Sequence, residues 1–265
     1  MSPTVAACQL TVDDLDPASN LAAVESRIRG LPGAVDIAVF PEYALTGFVP
    51  DGRVADAALG VDGERIGRLH GIAAEESTAV AVGFVESAGD ELYNTTAYLA
   101  PDGDLTTYRK RHLWGREAEV LTAGDELVTV ETPVGTAGIL TCYDLNFVRD
   151  SADLVDCGTD ALFVGGAWPA AYSENWRLLL RARALDGVRW VVGAGRTGRP
   201  AVSDGGGRSE SDAATDAVAY AGRSLVVRPD GGIHASLDRR EDDLLAELDP
   251  DTLAAHREFV GSVPE

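Results

Sequence analysis

Short apolar runs alternate along the chain with longer segments in which apolar residues recur at helical spacing. The apolar runs predict strands over residues 3–10, 37–40, 79–85, 93–99, 127–131, 136–141, 160–164, 189–194, 217–228, 233–237 and 244–248. Helical spacing predicts helices over residues 17–30, 62–76, 146–157 and 175–186, with a short helix after Asp249. Composition does not change abruptly and no internal repeat is visible, so we predict one α/β domain over residues 1–265.

One predicted strand ends in a turn that carries a thiol. The apolar residues 138–141 give way at Cys142 to a polar stretch that can start a helix, with Asp144 or Asn146 as its cap. Backbone N–H groups and a helix N-terminus near a thiol would favour thiolate and oxyanion. Cys142 is therefore a candidate nucleophile, with a small buried core residue as the alternative.

Composition limits the classes of protein that the chain can be. Hydrophobic residues make up 45% of it and mean hydropathy is -0.02, as in a globular protein. No apolar run approaches the roughly 20 residues that cross a bilayer, and the N-terminus has no basic segment, so we expect a soluble cytoplasmic protein. Three cysteines without CxxC spacing predict reduced thiols, with Cys8 and Cys157 as packing residues.

The charge is strongly acidic. Asp and Glu number 43 against 22 Lys and Arg, which gives a net charge of -21 and makes nucleic-acid binding improbable. The acidic residues are spread along the chain, and lysine is scarce. This pattern resembles proteins from salt-saturated cytoplasm, so we predict a halophilic protein with an acidic surface.

Lys110 is the only lysine in the sequence, since the other cationic side chains are all arginine. An ammonium is a compact point charge with three donors, suited to lie beside a reacting atom. The alternative is a lysine that escaped a drift in composition by chance. His112 follows two residues later and could be a base for Cys142. We expect it to be structural, because papain-like enzymes place the cysteine before the histidine.

A glutamate follows another apolar run directly. Glu42 comes after residues 37–40 and behind Pro41, where layered α/β folds place their sites if the strand is central. The alternative is an exposed loop glutamate. Glu42, Lys110 and Cys142 all lie at or just past predicted strand ends, so they can converge. A carboxylate base, an ammonium and a thiol form a coherent set for acyl transfer.

Several motifs in a fixed order accompany these three residues. They are Phe40-Pro41-Glu42, Tyr108-Arg109-Lys110-Arg111-His112-Leu113-Trp114, Thr141-Cys142-Tyr143-Asp144, Trp168-Pro169, Trp176 with Arg181-Ala182-Arg183-Ala184, Tyr220-Ala221-Gly222-Arg223-Ser224 and Pro229-Asp230-Gly231. With these motifs in this order, the sequence resembles the carbon–nitrogen hydrolases of the nitrilase superfamily over nearly its full length. The resemblance implies a four-layer α-β-β-α sandwich that dimerises, or forms a higher homo-oligomer, through helices.

The resemblance also implies residue roles. Glu42 would be the general base, Lys110 the stabiliser of the oxyanion and Cys142 the nucleophile. Glu117 fits the position of the second family glutamate better than Glu119 and would orient substrate and base. The backbone N–H of Tyr143 would complete the oxyanion site. Trp168 and Tyr43 are the candidate substrate-binding residues, and neither a metal nor an organic cofactor is needed.

The residues after the cysteine refine the expected reaction. Cys-Tyr-Asp resembles the amide- and carbamoyl-cleaving branches, whereas nitrile-cleaving members look like Cys-Trp-Glu. We therefore predict hydrolysis of a small carboxamide or N-carbamoyl compound through a cysteine thioester, with release of ammonia. Alternatives are nitrile hydrolysis, a noncatalytic binding module, a glutamine-hydrolysing domain and an acyl transferase.

Departures from the family pattern leave the substrate open. They are Leu145-Asn146-Phe147 after the Cys-Tyr-Asp motif, Gly195-Arg196 in place of Asn-Arg, and Ala167 in place of Asn before Trp-Pro. These positions border the pocket in relatives. Residues 198–216 are rich in Gly, Ser and Asp and predict a flexible surface loop near the mouth of a pocket.

Overall fold

The computed structural model describes residues 2–199 and 219–261, which form two six-stranded sheets and six α-helices. The strands are β1 (Thr4–Gln9), β2 (Ile37–Val39), β3 (Ala79–Ala88), β4 (Glu91–Leu99), β5 (Leu105–Arg109), β6 (Thr129–Thr132), β7 (Gly135–Thr141), β8 (Ala161–Gly166), β9 (Trp190–Gly195), β10 (Leu225–Val227), β11 (Ile233–Ser236) and β12 (Asp242–Glu247). The helices are α1 (Pro17–Gly30), α2 (Val54–Ala57), α3 (Glu64–Glu76), α4 (Val148–Asp156), α5 (Ser173–Gly187) and α6 (Pro250–Val260).

The two sheets have the same internal order. The first runs β12-β1-β2-β3-β4-β5 and the second β11-β10-β9-β8-β7-β6. In each, three neighbouring strands are parallel, β1 to β3 in the first and β7 to β9 in the second, and the outer strands pair antiparallel. Strands β1–β5 and β7–β11 thus repeat one arrangement, and only the remaining edge strand differs in origin, since β12 comes from the end of the described chain and β6 directly precedes β7. The sequence does not reveal this structural repeat.

Alternation along β1 illustrates how the layers pack. Val5 and Ala7 belong to the core that lies between the sheets, whereas Ala6 and Cys8 face α1 and α3 on the outside of the first sheet. Helices α4 and α5 cover the second sheet through Leu154, Trp176, Leu180 and Ala184. The predicted four-layer α-β-β-α sandwich is confirmed, and the carboxyl ends of its parallel strands are available to build a site.

Most predicted elements are present, with bounds that shift by a few residues. The first helix begins as predicted, since the side chain of Asp16 accepts a hydrogen bond from the N–H of Ser19. Helix α2 was not among the predicted elements. The strand end expected before Lys110 is that of β5, for which no range was predicted, and the strand predicted over 217–228 is limited among described residues to β10. No helix among the described residues is long and apolar enough to cross a membrane.

Two predictions for the segment from Cys142 to Cys157 are wrong, namely the start of its helix and the burial of Cys157. The helix predicted over 146–157 begins only at Val148, because a 3-10 turn over Cys142–Asn146 comes first, and neither Asp144 nor Asn146 caps it. Cys157 lies just after the end of α4 and is exposed, so it is not the packing residue that we predicted, whereas Cys8 is buried. Of the loop predicted over 198–216, residues 200–216 lie outside the described residues.

Candidate active site

Three strand ends deliver the predicted residues to one place. Glu42 lies beyond β2, Lys110 directly follows β5, and Cys142 directly follows β7 in the other sheet. All three side chains are buried, and Lys110 has an exposed fraction of only 1%. A buried charged side chain requires partners, and here the partners are one another.

Glycines on both sheets allow the Glu42 segment to lie between them. A Cβ added to Gly83 of β3 would come within 2.7 Å of the Pro41 carbonyl oxygen. A Cβ added to Gly165 of β8 would come within 2.9 Å of the Glu42 nitrogen. Since contacts below about 3 Å cannot be accommodated without movement, both positions require glycine. The backbone that carries Glu42 is therefore fixed from two sides.

Lys110 binds two carboxylates at once. Its Nζ donates to Glu42 Oε1 at 2.8 Å and to both carboxylate oxygens of Glu117 at 2.9–3.0 Å. Burial alone would lower the pKa of Lys110, but the charges of Glu42 and Glu117 raise it above its usual value. The ammonium is therefore charged in the resting site.

Glu42 is held at both carboxylate oxygens. Asn94 Nδ2 donates to Oε1 at 2.8 Å, and the backbone N–H of Ala167 donates to Oε2 at 2.8 Å. Burial opposes ionisation, but Lys110 and the hydrogen bonds from Cys142 and the Ala167 N–H hold the pKa of Glu42 below its ordinary 4.5. Glu42 is thus a carboxylate at neutral pH, able to accept a proton.

Glu117, and not Glu119, completes the cluster. The hydroxyl of Tyr43 donates to Glu117 Oε1 at 2.6 Å, and the backbone N–H of Trp114 donates to Oε2 at 2.6 Å. Glu119 instead forms an exposed ion pair with Arg116. The Glu117 carboxylate is fully engaged in orienting Lys110 and Tyr43, so it has little freedom to move.

Cys142 is held in an unusual backbone conformation. Its φ is 49°, in the left-handed region that residues other than glycine seldom adopt. The turn is fastened by Asp144, whose Oδ2 accepts from the N–H of Thr141 at 3.0 Å and from the hydroxyl of Tyr108 at 2.7 Å. A strained residue fastened by buried hydrogen bonds is typical of a site that presents one side chain in a fixed direction.

The thiol is not poised as a thiolate, contrary to our expectation from the turn. Burial, followed by the negative charge of Glu42, raises the pKa of Cys142 well above its usual value, and Lys110 offsets this only in part. The α-helix that we expected to begin beside the thiol starts six residues later, and a 3-10 turn that begins at Cys142 takes its place. The resting pair is therefore a neutral thiol facing an ionised carboxylate.

Comparisons with known proteins fit this geometry. A family model described as carbon-nitrogen hydrolase matches residues 4–258. The chain belongs to the carbon–nitrogen hydrolase family. The predicted family and its amide-cleaving type of reaction are confirmed.

Curated relatives and solved structures resemble this hydrolase over most of its length. An (R)-stereoselective amidase from a Pseudomonas species is 30% identical over 94% of this chain and 86% of its own. An omega-amidase from Escherichia coli K12 is 31% identical over 94% of this chain and 90% of its own. A CN-hydrolase superfamily protein from Xanthomonas campestris, solved with an arsenic adduct in its active site, has a TM-score of 0.87 and 25% identity, covering 98% of this chain and 95% of its own.

The remaining predicted residues of this hydrolase have varied positions. Tyr43 is buried with a φ of 59° and uses its hydroxyl on Glu117. The Trp168 indole donates to the Tyr172 carbonyl at 3.0 Å.

Tyr143 is the second residue of the 3-10 turn, where backbone N–H groups lack partners within the helix. His112 hydrogen-bonds to Asp150 at 2.9 Å and stacks on Phe147, as a structural histidine would.

Sequence reasoning missed two groups that contact the Glu42 carboxylate. Asn94 is fully buried in β4, but Thr95 and Thr96 follow it in the same strand, so the local sequence does not single it out. Ala167 contributes only a backbone N–H, which no side-chain pattern can reveal. Among the described residues, His112, Asp144 and Asp150 could approach one metal ion, but hydrogen bonds and Arg111 already engage both carboxylates.

Proposed function

We propose that this hydrolase cleaves a small carboxamide with Cys142 as nucleophile, Glu42 as base and Lys110 as stabiliser of the oxyanion. The observation that carries the proposal is the contact of Lys110 Nζ with Glu42 and Glu117 beside the Cys142 thiol. Burying an ammonium between two carboxylates carries a desolvation cost, so stability alone is a weak reason for this arrangement. A function at the site is a better reason. Stabilising a developing negative charge is such a function.

Acylation begins as the Cys142 sulfur attacks the amide carbonyl carbon while the thiol proton passes to Glu42. Lys110 and the backbone N–H of Tyr143 hold the resulting oxyanion. Collapse of the tetrahedral intermediate breaks the C–N bond, and the proton on Glu42 goes to the departing ammonia. The product of this half-reaction is a thioester on Cys142 with Glu42 again ionised.

Deacylation runs through the same groups. A water molecule gives a proton to Glu42 and attacks the thioester carbonyl carbon, with Lys110 again beside the oxyanion. The C–S bond breaks, the carboxylic acid leaves, and the proton returns from Glu42 to the sulfur. Glu117 positions Lys110 through both steps. The carboxylate, ammonium and thiol supply every proton transfer in this scheme, and we propose that no metal or organic cofactor takes part.

The names of the relatives support a small amide as substrate. Besides the two amidases above, a 2-oxoglutaramate amidase from Paenarthrobacter nicotinovorans is 28% identical over 94% of this chain and 84% of its own. Tyr43 follows Glu42 in the chain and Trp168 follows Ala167, whose N–H binds Glu42, and we propose that both side chains shape the pocket. Tyr43 would act mainly through Glu117, because its hydroxyl is engaged there.

Release of ammonia from a panel of carboxamides, N-carbamoyl compounds and nitriles tests the proposal. We expect turnover of amides by the wild-type protein and loss of at least about a thousandfold in Cys142→Ala. Cys157→Ala is the matched control, because it removes an exposed thiol outside the site. Turnover of nitriles alone would contradict the amide assignment, and inactivity on every compound would favour a binding module.

We further propose a homodimer formed through α5. Leu178 and Leu185 are 64% and 59% exposed on this helix. They lie two turns apart on the same face of the helix. In so acidic a protein, exposed leucines at that spacing are well suited to a partner helix. Analytical ultracentrifugation should give a dimer for wild type and a monomer for Leu185→Asp. Leu245→Asp, on exposed strand β12, is the control that should stay dimeric.

We also propose a cytoplasmic protein adapted to high salt. The three cysteines are free, as a reducing compartment would keep them. The net charge of -21 would keep the protein hydrated at high salt, and counterions would screen the repulsion between its carboxylates. Localisation of a tagged copy in its source cell would test the first half of this proposal.

A further inference from the structure

Asn94, in β4, contacts three of the groups that form the active site. Its side-chain Nδ2 donates to Glu42 Oε1 at 2.8 Å and lies 3.5 Å from Glu117 Oε1. Its backbone carbonyl accepts from the N–H of Lys110 at 2.7 Å, which continues the pairing of β4 with β5. One fully buried residue therefore fixes the base, the ammonium and the second glutamate relative to one another.

The orientation of the Asn94 amide is set by its neighbours. An ionised carboxylate can only accept hydrogen bonds, so the NH2 group must face Glu42 and the amide oxygen must face away. That oxygen, Oδ1, is buried and has no hydrogen-bond partner among the described residues. Because an unpaired buried acceptor is costly, the donor to Glu42 is a better reason for an amide at this position than stability is.

The carboxylate of Glu117 has no room for a proton. An ionised carboxylate offers about four acceptor sites, two on each oxygen. Oε1 accepts from the Tyr43 hydroxyl and from Lys110 Nζ, and Oε2 accepts from Lys110 Nζ and from the backbone N–H of Trp114. With every site in use, Glu117 holds its neighbours in place but is not available as a base.

The carboxylate of Glu42 has one acceptor site left, and that site is on Oε2. Its Oε1 accepts from both Lys110 Nζ and Asn94 Nδ2. Its Oε2 accepts from the backbone N–H of Ala167 alone among the described backbone and hydrogen-bonding polar groups. The Cys142 thiol lies within hydrogen-bonding reach of this carboxylate. The open site on Oε2 is therefore the place for the thiol proton.

We propose that Asn94 is a positioning residue that occupies the second acceptor site of Glu42 Oε1, so that Oε2 alone takes the proton from Cys142. The inference rests on the proposed amidase function. During attack the S–H bond breaks with its electrons left on sulfur, a sulfur electron pair forms the C–S bond, and the proton binds Oε2. When the tetrahedral intermediate collapses, the same proton passes from Oε2 to the departing nitrogen.

Asn94 affects catalysis through Glu42 in two ways. While Oε2 carries the proton, Asn94 and Lys110 still hold Oε1, so the carboxyl group cannot turn its proton away from the substrate. In the resting site, the hydrogen bond from Asn94 favours the ionised form of Glu42. Loss of this donor should therefore change both the rate and the pH at which the base becomes protonated.

The test is the pH dependence of kcat/KM in Asn94→Leu, with any amide that the wild-type protein turns over. We expect kcat/KM at pH 7 to fall by roughly 10- to 100-fold, as for the loss of one hydrogen bond to a charged group. Because Glu42 would then be protonated more easily, the acidic limb of the profile should move up by about one pH unit. An acidic limb that stays in place, with an equal loss of activity at every pH, would show a merely structural role and overturn the proposal.

Thr95→Val is the matched control. Thr95 is the next residue of the same strand and is equally buried, but its side chain points to the other face and donates to Glu86 Oε2 at 2.6 Å. We expect its acidic limb to coincide with that of wild type. A limb displaced as far as in Asn94→Leu would show a general effect of changes in β4 and would contradict a specific part for Asn94.

Should Asn94→Leu fail to fold, the side-chain amide signals of the wild-type protein in 15N–1H NMR spectra decide the matter. The chain has four asparagines and one glutamine, so these signals are few. We expect the Asn94 NH2 signals to shift with pH through the same midpoint as the acidic limb of kcat/KM, and signals that do not move there would refute the inference. An active wild-type protein with either negative result leaves the amidase function intact, whereas inactivity on every amide would refute the proposed function and this inference with it.

Discussion

Lys110 lies between two carboxylates, and this arrangement governs protonation at the site. Its charge holds Glu42 in the ionised form, while burial and then the charge of Glu42 raise the pKa of Cys142 and keep the thiol protonated. A thiol facing a carboxylate acts by general-base catalysis, with proton transfer during attack. A preformed thiolate–imidazolium pair would require a histidine at the thiol, and the histidine nearest in sequence to Lys110, His112, is bound to Asp150 instead.

The pH dependence of kcat/KM distinguishes these two mechanisms. Activity requires ionised Glu42, whose pKa is held below 4.5, so activity should fall only as the pH drops below about 4.5. At alkaline pH the raised pKa of Lys110 should keep the profile flat to about pH 9. Recovery of activity on return to pH 7 controls for unfolding. An acidic limb with an apparent pKa of 6–7 would point to a histidine and contradict this assignment.

Exchanging either of two neighbouring glutamates tests the role of Glu117. Glu117→Gln removes a charge that orients Lys110, so we expect kcat to fall by on the order of 100-fold in a steady-state amidase assay. Glu119→Gln is the control, because it breaks only an exposed ion pair with Arg116. Similar losses in both variants would show that Glu117 has no special part.

At the residue scale, the functional residues that could be predicted from the sequence were those whose residue type stood out from their surroundings. The single lysine and the glutamate behind Phe40-Pro41 were visible because each departed from its surroundings. Asn94 contributes through its place in the sheet, and Ala167 contributes through its backbone alone. Neither function follows from residue type, so only the folded chain reveals them.

At the scale of elements, the site depends on how closely β3 and β8 approach the segment between them. We expect Gly83→Ala or Gly165→Ala to displace Glu42, because the added methyl group would overlap the backbone at 2.7–2.9 Å. Such overpacking costs about 1–3 kcal/mol, measured by urea unfolding, and kcat should fall at least about tenfold.

Gly67→Ala in α3 is the control for these glycines. No atom lies within 4 Å of an added Cβ there, so the variant should gain roughly 0.5–1 kcal/mol and keep its activity. If Gly83→Ala and Gly165→Ala also retained full activity, the close packing around Glu42 would not matter for catalysis.

The turn after β7 explains why element boundaries were predicted less well than element types. The strand and the break at Cys142 follow from apolar residues giving way to polar ones. The polar residues do not distinguish a 3-10 turn from the start of an α-helix. Besides the local contact with Thr141, Asp144 is bound by Tyr108 and His112, which lie more than 30 residues earlier in the chain and which no local pattern reveals.

At the scale of the whole molecule, two sheets with the same strand order place the reacting groups on both sides of one interface. Glu42 and Lys110 come from the first sheet and Cys142 from the second. The sandwich was predictable only through the family resemblance, because apolar periodicity specifies strands but not which strands pair. The repeat of strand order is absent from the sequence, where the two halves share no visible motif.

The net charge of -21 makes stability depend on salt. We expect Tm to rise by several degrees between 0.1 M and 2 M KCl, because counterions screen the repulsion among carboxylates; for a chain of this size about 1 kcal/mol corresponds to 2–4 °C. Sucrose at equal osmolality is the control for general solute exclusion. Full stability and activity without added salt would refute the halophilic assignment.

The central claim is that Cys142 carries the acyl group during turnover. Intact mass measured after acid quench, with a turned-over amide in excess, tests it directly. Wild type should gain the mass of one acyl group, peptide mapping should locate that group on Cys142, and Cys142→Ala should gain none. Turnover without any adduct, or an adduct retained in Cys142→Ala, would contradict the account.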